Sequence, residues 1–93
     1  MIAILTIHLH LPACNSLKEK RGRIKPLMSR IRRQFNVSVA EMGFQDQWQE
    51  ALIGCAMLGN EAGFLQAALQ TVQKWIQGNW PDGMIEEHRI ELL

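Results

Sequence analysis

Residues 1–11, MIAILTIHLHL, alternate with a period of two. Ala3, Leu5, Ile7, Leu9 and Leu11 make one wholly apolar face, while Ile2, Ile4, Thr6, His8 and His10 make a second that turns polar toward its end. Successive strand side chains point to opposite faces, so the pattern predicts a strand with one face on a core. Pro12 ends it, because proline cannot donate to a ladder. Ser16 then stands three residues before Glu19, the form of a capping box. From there Leu17, Ile24, Leu27, Met28, Ile31 and Phe35 keep to one stripe of an α-helix. Gly22 and Pro26 lie inside that stripe. Pro26 cannot donate to the carbonyl of Gly22 and its ring crowds it, so a kink is expected between them.

The alternation returns in NVSVAEM, 36–42, where Val37, Val39 and Glu41 oppose Ser38, Ala40 and Met42; this predicts a second strand. Residues 43–49 read as a connection. EALIGCAMLG, 50–59, is nearly continuous in apolar residues and predicts a strand buried on both faces. Leu65, Ala68, Leu69, Val72 and Ile76 recur at helical spacing, with Asn60 expected as the N-cap and Gly78 as the stop. A Pro81-Asp82-Gly83 turn leads into a last strand over 84–93 with Glu86, Glu87, Arg89 and Glu91 outward. The order β-α-β-β-α-β in a single 93-residue domain leaves few right-handed arrangements. The expected fold is α+β: a ferredoxin-like sandwich, a four-stranded antiparallel sheet with two helices on one face and the first and third strands at its centre.

Charge changes this picture, although the net value is only +1. Residues 16–35 hold eight of the ten basic residues against one acid, a local +7; the remainder holds two bases against eight acids, −6. Lys18, Arg21, Lys25 and Arg32 fall along one flank of the apolar stripe at 100° per residue, with Arg23, Arg30 and Arg33 further round; Lys20 is counted with them as a candidate contact. Such a ridge is suited to phosphates and to salt-dependent binding of RNA or DNA. The competing readings are a solvated helix face whose basic stems lie over the core edge, and a docking surface for an acidic protein partner. No stacked-aromatic RNA signature is present, so sequence-specific recognition is not expected.

Other candidates are weaker. His8 and His10 share a strand face and could ligate a metal with Cys14, Glu41 or His88, but no third ligand stands at a metal-binding spacing. Their plainer reading is as half-exposed histidines, and no cofactor is expected. Ile2, Ile4 and Thr6, on the face the helices leave bare, are expected to support self-association, a dimer first, unless loop 43–49 folds back over them with Phe44 and Trp48. Within that loop Gln45 and Asp46 could bind a ligand and Trp48 could stack on a base, but the favoured reading has Trp48 anchoring the loop in the core and Asp46 turning it. Cys14 and Cys55 form no CxxC pair and are expected to stay reduced. Glu86 and Glu87 are adjacent, and so on opposite faces. No nucleophile, base and orienting acid line up, and no Tyr is present, so no enzyme and no small-molecule substrate are expected. No run of apolar residues approaches membrane length, and the first eleven residues lack the basic start and cleavage site of a signal peptide. A cytoplasmic location is the expectation.

LHLP before SLKEKR, then FNVSVAE, then QDQWQEALIG, resemble the YlxP-like family of small bacterial proteins across nearly the whole chain. The resemblance implies a ferredoxin-like fold. It also implies, through gene neighbourhood with a translation initiation factor and a ribosome-binding factor, a connection to RNA or the ribosome. It carries no catalytic residues. His8 replaces a commonly acidic position, and Gly22 and Pro26 interrupt what is usually a regular helix.

Overall fold

The computed structural model describes residues 1–93. The elements run β1 (Ile2–His10), α1 (Leu17–Gln34), β2 (Ser38–Gly43), β3 (Glu50–Leu58), α2 (Ala62–Asn79) and β4 (Met84–Leu92). The strands form one antiparallel sheet in the order β2-β3-β1-β4, the ferredoxin-like arrangement the element order predicts. One face carries both helices. The core between them takes Ala3, Leu5, Ile7, Leu9 and Leu11 from the first segment, Ile24, Leu27 and Ile31 from α1, and Leu65, Leu69, Val72 and Ile76 from α2.

Local chemistry sets most boundaries. The Ser16 hydroxyl oxygen accepts from the Glu19 N–H at 3.0 Å, capping α1, although only this half of the capping box is made. The helix then runs unbroken through Gly22 and Pro26, so the proline costs a hydrogen bond without splitting it. The expected limits of α2 are both displaced. Glu61, not Asn60, is the N-cap, and it makes no side-chain cap bond. The helix passes through Gly78 and ends at Trp80, which is extended because Pro81 follows and disfavours α geometry in the residue before it.

β3 is not buried on both faces. Ala51, Ile53 and Cys55 are sealed against the helices, but Leu52 and Ala56 on the other side are half-buried and Leu58 is 77 % exposed, because no second layer covers that side. Each edge strand carries an irregularity. On β4 the register slips between His8 and Leu9, so that Ile85 rather than Glu86 stands opposite buried Leu9. One extra residue thereby keeps a carboxylate off the helix-facing side, and Glu86 and Glu87 are both exposed. On β2 a similar slip after Glu41 leaves Met42 unpaired, lying over Gly54, where a Cβ would come within 2.9 Å of the Met42 Cγ. The turn before β4 depends on Gly83, whose added Cβ would run into the His10 carbonyl oxygen and the Trp80 ring.

Candidate nucleic-acid interface

The basic helix divides into three groups. Lys20 leaves the surface set: it is 2 % exposed, and its Nζ donates to the carbonyl oxygens of Phe44 at 2.7 Å and Gln47 at 2.9 Å. The same ammonium lies 3.1 Å from Glu41 Oε2, close enough to pair the charges but without hydrogen-bond alignment, so Oε2 is buried with charge compensation alone. The physical reason is parity. Glu41 follows Val37 and Val39 on the helix-facing side of β2, where an unpaired carboxylate would be costly, and Lys20 is the cation within reach.

Arg23 and Arg30 form a second group on the opposite flank. Arg23 donates to the Pro12 carbonyl oxygen at 3.2 Å. Arg30 donates to that of Asn79 at 3.2 Å and stacks 5.0 Å over the Trp75 ring, tying α1 to α2. Lys18, Arg21, Lys25, Arg32 and Arg33 make the third group, all exposed. None has an acid within 4 Å; Lys20 is the one α1 cation in an ion pair. Arg32 also donates to the Val39 carbonyl oxygen at 2.8 Å, which fixes its direction toward β2.

Between α1 and β2 lies a groove of about 270 Å³. Leu17, Lys20, Ile24 and Met28 line its inner row, and Arg21, Lys25, Ser29 and Arg32 its outer row, each row following i, i+3 and i+4 steps along the helix. Glu41 and Gln45 form the opposite wall. The flank expected from helical spacing is therefore assembled over Arg21, Lys25 and Arg32. Glu41, Met28 and Ser29 join it, residues not singled out for this site by sequence. An acid in phase with Val37 and Val39 was the one available signal for Glu41.

The remaining candidates separate from this groove. His8 Nε2 lies 3.3 Å from Glu50 Oε1 and His10 Nδ1 2.8 Å from Glu50 Oε2. The hydrogen bond with His10, aided by the charges of both imidazoles, holds the Glu50 carboxyl below its ordinary value against the opposing effect of burial. The third group beside the histidines is thus Glu50, brought there by the β1–β3 register, and not Cys14, Glu41 or His88. No group of three metal-ligating side chains with suitable geometry forms.

The loop is turned by a Gln47 N–H to Phe44 carbonyl bond at 3.0 Å, with Asp46 inside the turn. Phe44 takes a left-handed φ of 58°, a costly conformation for an aromatic residue. Its ring lies 4.8 Å from that of His8, over the bare sheet face. Trp48 is not a core anchor: it is 52 % exposed, over a shallow depression shared with His10, Asp46 and Glu50. Ile2 is exposed on the bare face, with Ile4 and Thr6 half-buried beside it. Cys14 and Cys55 are buried free thiols, and burial raises the Cys55 thiol to about 11. No helix is long and apolar enough to cross a membrane.

Known proteins add a family to this geometry. The aligned part of "Uncharacterized protein YlxP" of Bacillus subtilis (strain 168) is 39 % identical over 61 residues, covering 66 % of this chain and 66 % of that relative's length. Among solved structures, a "De novo designed protein Ferredog-Diesel" superposes with a TM-score of 0.47 at 9 % identity, over 99 % of this chain and 85 % of that one, a likeness too distant to bear on function. The family model described as "Protein of unknown function (DUF503)" matches residues 2–89, and the chain belongs to that family.

Proposed function

We propose that this protein binds RNA through the exposed cations of α1, with Lys18, Arg21, Lys25, Arg32 and Arg33 as the contacts. The observation that carries the reading is that none of these five charges is in an ion pair, although the rest of the chain is net acidic. An ordinary solvated helix face mixes both signs; a row of unpaired cations displaces counterions from a phosphate backbone. Binding of single-stranded or structured RNA is expected to weaken steeply between about 50 and 200 mM salt, with a slope reduced by roughly one for each cation removed. Arg21→Glu with Lys25→Glu should abolish it. Absent binding at low salt, or affinity indifferent to salt, refutes the proposal.

A second reading concerns self-association, and the exposed apolar side chains of the bare sheet face favour it: Leu58, with Ile2 beside it in register and Met42 on the neighbouring strand. Covering them with a second copy would remove apolar area from water. Light scattering at micromolar concentration should give a dimer mass, and Leu58→Lys should halve it. A monomer at every concentration sinks this reading and leaves the RNA proposal standing.

A further inference from the structure

The groove beside α1 is more than a row of charges, because its floor is apolar and its far wall is a carboxylate. Leu17 and Met28, half-buried over core Ile24, offer a hydrocarbon surface beneath Arg21, Lys25 and Arg32. Lys20 is saturated by its own acceptors and offers nothing to a ligand. Glu41 is different. Its Oε2 is buried against Lys20, but the side chain is 27 % exposed, and no protein donor reaches Oε1. A ligand that fits must present an anion to the outer row, a flat apolar body to the inner row, and hydrogen-bond donors to the wall. A nucleotide has all three.

The carboxylate also discriminates among bases. Guanine presents N1–H and the N2 amine side by side, two donors that converge on one acceptor, so both can share Oε1, the oxygen that Lys20 leaves free. Adenine and cytosine place a ring nitrogen lone pair beside their amine, and uracil flanks its N3–H with two carbonyl oxygens, so each sets an acceptor against Glu41. Gln45, on the same wall, has an amide that can donate to guanine O6. A groove of about 270 Å³ is at the small end of ligand sites, in keeping with one base and not a larger ligand.

We propose that the groove between α1 and β2 seats a single unstacked guanine nucleotide, its base edge on Glu41 and its phosphate on Arg21, Lys25 and Arg32. This rests on the RNA-binding reading of α1 and gives that surface a one-base preference without an aromatic platform. The preference would come from base-edge donors, and the affinity from the phosphates.

The test is fluorescence anisotropy with uridine hexamers carrying one central guanine, inosine, adenine or uridine, at about 100 mM salt. The guanine hexamer should bind about tenfold more tightly than the uridine and adenine ones, and inosine, which lacks the N2 amine, should fall between. Met28→Arg, which fills the groove while adding a cation, should erase the preference and keep uridine binding. Glu41→Gln should do the same, with circular dichroism to check that losing the Lys20 pair leaves the fold intact. Equal affinity for all four hexamers, or an undiminished guanine preference in Met28→Arg, overturns the proposal while leaving electrostatic binding in place. No binding to any hexamer at low salt removes the RNA reading itself. Titration with 5′-GMP and 5′-UMP then separates the sources. A guanine preference with the mononucleotide as tight as the hexamer assigns a free nucleotide, and a much tighter hexamer assigns RNA.

Discussion

Lys20→Met tests the assignment of this lysine to the interior and not to the basic surface. Methionine retains the apolar stem that packs in the wall of the groove but removes the ammonium. Two carbonyl oxygens, of Phe44 and Gln47, lose donors at 2.7 and 2.9 Å. Hydrogen bonds to a charged group contribute about 1.5–3 kcal/mol each, so the low end of that range gives a loss of about 3 kcal/mol. Removing the ammonium also leaves Glu41 Oε2 buried without its compensating charge, so that figure is a lower bound. For a domain of this size each kcal/mol moves the melting temperature by about 4–8 °C, so a fall of roughly 12–24 °C is expected. Thermal unfolding followed by circular dichroism reads this directly, with Lys18→Met as the control for losing an exposed charge. If the two variants melt within about 0.5 kcal/mol of each other, Lys20 does not tether the loop and the interior assignment is wrong.

Gly83→Ala should cost at least about 2 kcal/mol in urea unfolding, since its Cβ meets a backbone oxygen and comes within 2.6 Å of the Trp80 ring. Gly54→Ala should cost less than about 1 kcal/mol, because the flexible Met42 can move aside; equal losses would contradict the packing described. Cys55 should resist thiol labelling at about pH 8 in the native protein and react once unfolded. Its folded value of about 11 lies above the ordinary 9.0, so the neutral thiol's contribution is complete below pH 9.0 and fades as pH rises to about 11; Cys55→Ala should lack this alkaline decline. Glu50 has the opposite sign. Its lowered folded value means stability present above 4.5 and lost as pH falls through that lower value, and Glu50→Gln should flatten this acid limb of a melting-temperature profile.

The bare face and the basic helix differ in how well they could be read in advance. Helical phase alone placed Arg21, Lys25 and Arg32 on one flank, because 100° per residue fixes relative direction within a helix whatever surrounds it. Phase also puts Lys20 inside the apolar stripe, between Leu27 and Ile31, but could not tell what offsets its charge there. That depended on Glu41 arriving from β2 and on two carbonyls of the loop, groups 21 to 27 positions away in the chain. Trp48 misled for a related reason: a large aromatic in a short loop usually finds the core, but here Phe44 takes the covering position and Trp48 stays out.

The sequence by itself determined the elements and the sheet. Alternation in residues 1–11, the apolar stripes of α1 and α2 and the proline stops are local properties, and their order admits few topologies. It also determined the charge division, a matter of composition. Only the tertiary structure decided which charges are free. Register brings Glu50 to His8 and His10, one extra residue in β4 replaces Glu86 with Ile85 against the helix side, and Lys20 is drawn into a pair that makes Glu41 a wall of the groove. Each depends on where a second segment comes to lie. A carboxylate or an ammonium is ordered by the partner that offsets its desolvation, and that partner is set by the packed sheet and not by the neighbouring residues.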